Sequence, residues 1–457
     1  MTDELRPYQN EAIDFMLDAE RVILADPPGV GKTATAAVWA AETGRLKTLF
    51  VVPRAVRLHW QREIERWIGE GAVIYDGTSK QREKILAAKP EWVITHYERF
   101  RIDYESFMDE GFATIVFDEA HRLKNRKAQV TKAAYKVTRR VPSVALLTGT
   151  PILNRAEELW SLLHILAPKT YTSFWRWAGE HFDVTQEWLS GRMVYRVGEL
   201  REGHAETLRD ANAGILLQRP IEQLLPDLPD VQESVIEVEL GPAERREYDR
   251  LVKFGWADLP DGTVLSASNV LALSTRLRQF TSDWTALCDG IDELGSPSAK
   301  VAAAVEVITD LEPEQVVVLT AFKHTARAVG RALGKAGIST RLHTGDQPSK
   351  FREAALRDFQ RGDARVIIGT IATMGEGVDG LQCARHILFM DRDWTPARNE
   401  QALGRVRRSG QTATKVVAWR IVARDTIDQT IEAALASKQS VIDSLKGKSL
   451  SEIVGGK

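Results

Sequence analysis

A glycine-rich segment near the N-terminus has the residue types and spacing of a phosphate-binding loop. Asp26-Pro27-Pro28-Gly29-Val30-Gly31-Lys32-Thr33 directly follows the apolar run Val22–Ala25. Glycines let backbone N–H groups close around phosphate oxygens, and a helix beginning near Lys32 would direct its positive end toward them. Lys32 would reach the β- and γ-phosphates of a nucleotide, and Thr33 would ligate Mg²⁺. Asp26 stands where the strict pattern has glycine, so the alternative is a tight glycine turn before an ordinary helix.

A pair of carboxylates follows a second apolar run. Thr114–Phe117 leads into Asp118-Glu119-Ala120-His121, 85 residues beyond Thr33. A carboxylate at a strand tip facing a phosphate-binding loop holds Mg²⁺, usually through water, and its neighbour can orient and deprotonate the attacking water. Asp118 is therefore the predicted metal residue and Glu119 the predicted base. The alternative is a solvated helix start with acidic first residues.

A basic segment near the C-terminus could act on the same chemistry. In Gln401-Ala402-Leu403-Gly404-Arg405-Val406-Arg407-Arg408, a helix would place Gln401, Arg405 and Arg408 on one face, at i, i+4 and i+7. Planar guanidinium groups on one stripe suit the spread charge of a transferring phosphoryl group. Arg407 fits the alternative, a solvated basic helix.

The elements that must position these residues show an α/β rhythm in two regions. Short apolar runs alternate with helical patterns, which is typical of parallel strands buried on both faces. The runs are Val22–Ala25, Thr48–Val52, Ala72–Tyr75, Trp92–Thr95, Thr114–Phe117 and Val144–Leu147, then Val316–Thr320, Ser339–His343, Arg365–Gly369, His386–Met390 and Lys415–Ile421. A long helix is expected from about Asp425 to Leu445. The fold class is therefore α/β, with two parallel-sheet lobes and helical insertions.

The middle of the chain, roughly Asn154 to Gly295, is predicted to be mostly helical. Its aromatic residues would fill a helical core or, alternatively, form a base-stacking platform. They are Trp160, Phe174, Trp175, Trp177, Phe182 and Trp188. The expected domains are a first lobe over 1–240 with a helical insertion at about 152–220, a second helical insertion over 241–295, and a second lobe over 296–457.

The composition excludes several classes of protein. The 457 residues include 61 Lys and Arg against 63 Asp and Glu, a net charge of −2, which argues against a histone-like binder. Two cysteines cannot build a disulfide framework, and no CxxC pair is present for zinc. The polar N-terminus is not a signal peptide, and no run of 18 apolar residues predicts a membrane span. A reduced, cytoplasmic, multidomain protein without a membrane is expected.

Together, the three chemical segments resemble motifs I, II and VI of superfamily-two helicases, and the connecting sequence is similar to the SWI/SNF-like ATPase family. The resemblance covers essentially the whole chain. It is carried by Leu5–Gln9, Val51–Pro53 with Trp60 and Trp67, Thr95–Glu98, Asp118–Asn125, Leu147–Pro151, Glu157–Leu163, Leu277–Gln279, Gly369–Thr370, Gly375–Gly377, Asp393–Pro396 and Arg408–Gln411. Pro27-Pro28 replaces the Glu-Met pair usual in the family, and Met374 and Asp379 stand where many members have Gly and Asn.

The resemblance implies two RecA-like lobes, with ATP and Mg²⁺ bound between them. Hydrolysis would drive stepping along duplex DNA, so that the motor remodels or displaces DNA-bound complexes. The implied nucleotide-binding residues are Gln9, which would contact the adenine, Asp26, Gly29, Gly31, Lys32, Thr33, Gly375 and Gly377. The implied catalytic residues are Lys32, Asp118, Glu119, Gln401, Arg405 and Arg408, and the implied metal residues are Thr33 and Asp118.

Duplex DNA is the expected partner, contacted mainly through its phosphates and with strong salt dependence. The stretch His121–Arg140 contains eight Lys and Arg residues and no acidic residue, although a solvated helix face is an equal alternative from Lys132 onward. The residues implied to contact nucleic acid are Arg54, Thr95, Lys124, Thr370 and Trp394.

Two other functions are compatible with the same motifs. One is a strand-separating DNA or RNA helicase, and the other is a non-catalytic clamp that ATP switches. A DNA-bound roadblock protein, a nuclease or a polymerase would be a further partner. The family resemblance favours a monomer, and the absence of reader modules favours the cytoplasm of a bacterial or phage-infected cell over a nucleus.

Overall fold

The computed structural model describes residues 4–45, 47–149, 158–189, 192–268, 270–288, 297–375, 378–408 and 410–445. Its internal contacts divide the chain into two compact units, the first containing the residues up to Pro226 together with residues 438–445, and the second spanning Asp227–Ser437. Each unit has its own parallel sheet and its own apolar core.

The first unit alternates strands with helices. Its elements are α1 (Pro7–Ala19), β1 (Arg21–Leu24), α2 (Lys32–Glu42), β2 (Thr48–Val52), α3 (Arg57–Ile68), β3 (Val73–Ile74), α4 (Ser79–Ala87), β4 (Trp92–His96), α5 (Tyr97–Ile102), α6 (Tyr104–Asp109), β5 (Thr114–Asp118), α7 (Gln129–Thr138), β6 (Ser143–Leu147), α8 (Leu159–Leu166), α9 (Phe174–His181), β7 (Phe182–Leu189), β8 (Arg192–Leu200), α10 (His204–Ala211), β9 (Leu216–Leu217) and α11 (Ile221–Leu224).

Seven of these strands form one parallel sheet in the order β3-β4-β2-β5-β6-β1-β9. Every residue of β2, β4 and β6 is buried, which explains their near-continuous apolar sequences. Helices pack on both faces, and two apolar clusters fill the layers. Because all seven strands are parallel, their carboxyl ends lie at one edge, where the loops after β1, β2, β5 and β6 meet.

The second unit repeats this architecture. Its elements are β10 (Asp230–Val238), α12 (Pro242–Phe254), β11 (Trp256–Asp258), β12 (Val264–Ser266), α13 (Val270–Asp283), α14 (Ala299–Asp310), β13 (Val316–Thr320), α15 (Lys323–Lys335), β14 (Thr340–His343), α16 (Ser349–Gln360), β15 (Val366–Thr370), α17 (Ile371–Gly375), β16 (His386–Phe389), α18 (Pro396–Leu403), β17 (Lys415–Ala423) and α19 (Ile427–Leu445). Six strands form a parallel sheet in the order β10-β17-β16-β13-β15-β14. The predicted fold class, two parallel-sheet α/β lobes, is thus confirmed.

The division between the units differs from the boundary expected at residue 240. Strand β10 pairs with β17 along nine consecutive residue pairs, from Asp230–Lys415 to Val238–Ala423, so it belongs to the second sheet. The segment expected as a separate insertion from residue 241 also packs within the second unit. Tyr248, Leu251 and Phe280 share an apolar cluster with Ala423 of β17.

The prediction of a mostly helical middle is wrong for residues 182–189 and 192–200. There, β7 and β8 form an antiparallel hairpin, with Phe182 opposite Leu200 and Trp188 opposite Met193. The aromatic residues of this region divide between core and surface. Trp160, Trp177 and Phe182 are buried, whereas Trp175 and Trp188 are exposed. Within the described residues, no helix combines the length and the apolar character needed to cross a bilayer.

Candidate nucleotide site

The loop between β1 and α2 has the backbone conformation of a phosphate cradle. Gly29 and Gly31 both have positive φ angles, 87° and 81°, which L side chains rarely adopt. Gly31 is the N-cap residue of α2, and a Cβ there would lie 2.6 Å from the Gln9 Nε2 atom. Both glycines are therefore required by the conformation, and the N-terminus of α2 faces the space enclosed by the loop.

Lys32 and Thr33 occupy the first turn of α2. The Lys32 ammonium donates hydrogen bonds to the carbonyl oxygens of Asp26, at 2.6 Å, and Pro27, at 2.9 Å. The Lys32 ammonium therefore lies over the loop. The oxygens of a bound phosphate would take the place of these two carbonyls as its hydrogen-bond partners. Thr33 is half-buried beside it.

Helix α1 is fastened to the same loop by two side chains from its first turn. The Tyr8 hydroxyl donates to the Val30 carbonyl at 2.9 Å, and Gln9 Nε2 donates to the Gly31 carbonyl at 3.3 Å. The Gln9 Oε1 atom accepts the backbone N–H of Arg6 at 2.9 Å. These bonds place Gln9 at the loop, as the implied adenine contact requires.

Asp118 lies at the end of β5, on the same edge of the sheet as the loop. It is in register with Leu147 of β6, which is in register with Leu24 of β1, so one row of residues connects the two motifs. Trp60 Nε1–H donates to Asp118 Oδ2 at 2.8 Å, and the Tyr97 hydroxyl donates to the Asp118 carbonyl at 2.5 Å. The carboxylate is thus held in a fixed orientation.

The electrostatics of Asp118 are those of a buried carboxylate with a charged neighbour. Burial raises the pKa of the Asp118 carboxyl, and the adjacent Glu119 carboxylate raises that pKa further. The Trp60 hydrogen bond and the Lys32 cation act in the opposite direction. A cation beside Asp118 would therefore relieve an unfavourable arrangement of negative charge.

Glu119 has a strained backbone, with φ 53° and ψ 51° in the left-handed region. Such a conformation in a residue other than glycine costs free energy, and it often occurs at functional sites. The Glu119 Oε2 atom lies 3.1 Å from His121 Nδ1. Glu119 directly follows β5, so this conformation occurs at the sheet edge that carries the loop.

Three contacts around the loop and Asp118 were not predicted from the sequence. Arg219, which follows β9, binds both carboxylate oxygens of Asp26, so the Asp26 carboxylate is occupied by a protein partner. Trp60 was identified only as part of a motif, without its bond to Asp118. Gly149, after β6, lies so close to Pro28 that a Cβ would be 3.2 Å from the proline ring. These contacts join residues far apart in the chain, so no local pattern could indicate them.

The donor set fits Mg²⁺ together with a nucleotide triphosphate. Magnesium is typically bound by one or two carboxylates or hydroxyls together with substrate phosphates, and Thr33 and Asp118 supply a hydroxyl and a carboxylate. Among the described residues, no group of three or more His, Cys, Asp and Glu forms a self-sufficient metal site. The phosphate cradle and these two oxygen donors match a metal that arrives with its nucleotide.

In the second unit, the predicted helix through Arg408 is wrong, because α18 ends at Leu403 and Gly404 is its C-cap. Arg405 nevertheless makes a specific contact: its Nε and Nη2 atoms donate to the Gly375 carbonyl at 2.9 and 2.7 Å. Arg408 Nη1 donates to Asp379 Oδ1 at 2.8 Å. The segment of the two arginines is thus tied to the segment 375–379.

Three other residues of this region were named from the sequence, and the structure describes two of them. Gln401 lies on the last turn of α18, and its Oε1 atom would be 3.7 Å from a Cβ on Gly375. Arg407, expected to be solvated, is half-buried and donates to the Pro229 carbonyl at 2.8 Å. Gly377 lies outside the described residues.

Each half of the chain matches a known protein family. The family model described as the SNF2-related domain matches residues 8–287, and that of the helicase conserved C-terminal domain matches residues 299–410. The chain belongs to the SNF2-related family. The resemblance deduced from the motifs is therefore confirmed.

Several curated relatives align with nearly the whole chain. An uncharacterized ATP-dependent helicase of Mycoplasma pneumoniae is 27% identical over 96% of this chain and 42% of that protein. Chromodomain-helicase-DNA-binding protein 8 of Danio rerio is 24% identical over 99% of this chain and 19% of that protein. The chain thus spans less than half the length of these curated relatives. The solved Sulfolobus solfataricus SWI2/SNF2 ATPase core in complex with dsDNA is 22% identical, with a TM-score of 0.45, and the match covers 100% of this chain and 96% of that one.

The residues that the SNF2 resemblance implied for DNA contact differ in accessibility. Arg54 is exposed directly after β2, at the sheet edge that carries the loop. Thr95 is completely buried in β4, so its side chain does not reach the surface in this structure. Lys124 is half-buried, and its ammonium lies 3.2 Å from the Glu158 carboxylate.

The other two such residues lie in the second unit of the SNF2 chain. The Thr370 side chain is nearly buried, and its hydroxyl is 2.6 Å from that of Thr373. Trp394 is half-buried, with the Arg278 guanidinium 5.9 Å from its ring centre. Arg54 is therefore the most accessible of the five.

Proposed function

We propose that this chain is a DNA-dependent ATPase that uses hydrolysis to translocate on duplex DNA and displace complexes bound to it. The observation that carries the proposal is the row Leu24–Leu147–Asp118, which places the Asp118–Glu119 pair and the Lys32 loop at one edge of a single sheet. Family membership supports it, because SNF2 relatives are named as ATP-dependent helicases.

In the proposed site, Gln9 contacts the adenine and the loop from Gly29 to Thr33 binds the phosphates. Thr33 and Asp118 would hold Mg²⁺, which supplies charge neutralisation for the phosphoryl group when bound. Glu119 accepts a proton from the attacking water, and Trp60 keeps the Asp118 carboxylate oriented. Asp26, whose carboxylate is occupied by Arg219, contributes through the backbone of the loop.

The proposal assigns Arg405 and Arg408 to the charge that develops on the transferred phosphoryl group. The Arg405 guanidinium is held by Gly375 and the Arg408 guanidinium by Asp379, so a displacement of these two residues would move the arginines. Gln401 lies beside Gly375 in the second unit, and residues 148 and 149 follow β6 in the first unit. We assign to these segments the coupling between hydrolysis and movement along DNA.

DNA binding in this proposal is dominated by phosphate contacts. Arg54 and the basic stretch 121–140 supply the positive charge, and exposed members of that stretch are Lys127, Lys132, Lys136, Arg139 and Arg140. A cytoplasmic location, a monomeric state and a partner protein that directs the motor remain predictions from the sequence.

The decisive experiment measures ATP hydrolysis by the purified chain with and without duplex DNA. We expect duplex DNA to stimulate the rate, and an unchanged rate would contradict the coupling. Triplex displacement beside fork unwinding then separates duplex translocation from strand separation, because a translocase of the proposed kind displaces the third strand without opening the fork. Multiple phosphates released per protein would exclude a clamp that ATP only switches.

Glu119→Gln tests the assignment of the base. The amide cannot accept the proton of the attacking water, so turnover should fall by about 10²-fold or more while ATP binding is retained. A fluorescent ATP analogue measures binding, and phosphate release measures turnover. Retained turnover would refute the role of Glu119.

A further inference from the structure

Arg219 makes an unusually complete set of contacts with two parts of the nucleotide site. Its Nη2 and Nε atoms lie 2.5 and 3.3 Å from the two oxygens of Asp26, and its backbone N–H donates to the same carboxylate at 3.1 Å. Its Nη1 atom donates to the Tyr8 carbonyl at 2.9 Å, and the guanidinium lies 5.9 Å from the Tyr8 ring centre. One side chain thus bridges the phosphate loop and the first turn of α1.

The position of Arg219 follows from the register of β9. This short strand runs parallel to β1, with Ile23 opposite Leu216 and Leu24 opposite Leu217. Two residues beyond the end of each strand, the same register places Asp26 beside Arg219. The strand that leads into the loop therefore also sets the position of the arginine.

The pair is shielded from solvent, since the Asp26 side chain is 2% exposed and that of Arg219 is 14% exposed. A bidentate guanidinium–carboxylate pair in such a place fixes both groups in one geometry. A lysine could satisfy the charge of Asp26 but not hold the Tyr8 carbonyl with the same planar fork.

We propose that Arg219 is a positioning residue for ATP, which fixes the distance between the phosphate loop and the turn that presents Gln9. The inference rests on the proposed ATPase function and extends it to base selection. Tyr8 and Gln9 each bond directly to the loop, at Val30 and Gly31, and Arg219 adds a third connection through Asp26. Without that connection, the adenine contact and the phosphate contacts are no longer held at the separation that ATP requires.

Arg219→Lys and Arg219→Ala test this role through steady-state kinetics with saturating duplex DNA. We expect Arg219→Lys to raise the KM for ATP about tenfold while kcat stays within about threefold, since misplacement of binding groups has effects of this order. The preference for ATP over GTP should fall in both variants, and more in Arg219→Ala. In the double variant Arg219→Ala with Asp26→Asn, the loss should not exceed that of Arg219→Ala alone, because both changes remove one pair.

Arg21→Ala is the matched control for a merely structural effect. Arg21 is also a largely buried arginine of the first unit, and it bonds to the backbone carbonyls of residues 138, 141, 165 and 166. Its loss should lower the melting temperature and leave the ATP-to-GTP ratio unchanged. Glu11 is an exposed residue whose carboxylate lies 3.4 Å from Arg219 Nη1. Glu11→Gln should leave both the melting temperature and the ATP-to-GTP ratio unchanged.

A KM and an ATP-to-GTP ratio equal to wild type in Arg219→Ala would overturn the proposal, even if its melting temperature fell. Additive losses in the double variant would also overturn it. Binding of a fluorescent ATP analogue without DNA gives a separate readout. If the wild-type chain binds the analogue but shows no DNA-stimulated hydrolysis, the proposed function fails while the role of Arg219 is still tested.

Discussion

Lys300 of α14 is a fully buried cation whose partners are two buried carboxylates. Its ammonium lies 2.7 Å from Asp428 Oδ2 and 3.8 Å from Asp391 Oδ1. Asp428 also accepts from the Thr281 hydroxyl, and Asp391 accepts from the Thr320 hydroxyl. Residues from α13, α14, β13 and α19 are thus joined by one charged group.

Removing this cation should destabilise the second unit strongly. Lys300→Met leaves two uncompensated buried carboxylates, so we expect a loss of about 3–5 kcal/mol in the free energy of unfolding. Denaturant titration followed by tryptophan fluorescence provides the measurement. Lys350→Met, at an exposed position of α16, is the control and should change the value by less than about 0.5 kcal/mol. Equal effects of the two variants would show that the buried pair contributes nothing.

Glu244 of α12 gives the stability a dependence on pH. Burial raises its pKa from 4.5 to about 7, Asp283 adds to the rise, and the backbone N–H of Ala299 and the Lys300 cation oppose it. Because the folded pKa is the higher one, the stability from this carboxyl is complete below pH 4.5 and is lost as the pH rises through 7.

Glu244→Gln should therefore be neutral in effect near pH 4.5 and stabilising at pH 8. The expected gain at pH 8 is on the order of 3 kcal/mol, because the pKa is raised from 4.5 to about 7 and each unit of pKa difference corresponds to about 1.4 kcal/mol. Thermal unfolding at both pH values measures it. Glu239→Gln changes an exposed carboxylate and should show no such difference between the two pH values. A destabilised Glu244→Gln at pH 8 would contradict the prediction.

At this scale, the sequence predicted residues with local signatures and missed those with distant partners. Lys32, Asp118 and Glu119 stand beside strands whose apolar runs are recognisable, so their location at the sheet edge followed from the α/β pattern. Arg219 is 193 residues from Asp26 in the chain, and only the pairing of β9 with β1 brings them together.

Among the elements, the turn from β1 into α2 depends on Gly31 for two separate reasons. Its φ of 81° disfavours any side chain, and a Cβ would also clash with Gln9. Gly69, the C-cap of α3, has a similar φ of 79° but nothing within 4 Å of a Cβ. A comparison of substitutions at Gly31 and Gly69 therefore separates the effect of backbone strain from the effect of a clash with Gln9.

Gly31→Ala should lower ATP affinity by about tenfold or more, whereas Gly69→Ala should leave it unchanged. Both should lose about 1 kcal/mol of stability, because both place alanine in the left-handed region. Binding of a fluorescent ATP analogue and thermal unfolding give the two readouts. If both variants bound ATP like wild type, the contact of the loop with Gln9 would be dispensable.

The hairpin of β7 and β8 shows why element types were harder to predict than the sheets. Its strands alternate between apolar and polar residues, as at Phe182, Val184 and Trp188, which is the period of a half-buried strand. The aromatic residues suggested a helical core, but Trp188 near the end of β7 is exposed, whereas Phe182 at its start is buried. Helix α18 likewise ends before Arg405, with Gly404 as its C-cap. The positions of Arg405 and Arg408 are set by their hydrogen bonds to Gly375 and Asp379 and not by a continued helix.

For the whole molecule, a net charge of −2 means that the proposed DNA affinity would have to come from local positive charge. Arg54 follows the carboxyl end of β2 and is exposed at the edge that carries Lys32 and Asp118. Phosphate contacts release counterions, so binding should weaken steeply with salt.

Arg54→Ala should weaken duplex binding about equally for unrelated DNA sequences and reduce the slope of log affinity against log salt by about 1. Fluorescence anisotropy over a salt series measures both quantities. Lys335→Ala, an exposed cation at the end of α15, is the control and should leave the slope unchanged. A sequence-dependent effect of Arg54→Ala would indicate contact with base edges instead of phosphates.

The place where the chain leaves the first sheet also has a mechanical consequence. Strand β9 is only two residues long and pairs with β1, and ten residues after it the second unit begins. Tension along residues 218–226 would therefore act close to a short strand, and Arg219, which binds Asp26, stands two residues after that strand. If the proposed translocation pulls on this connector, the Arg219–Asp26 pair would transmit the load to the phosphate loop, so that load would change the rate at which nucleotide is exchanged.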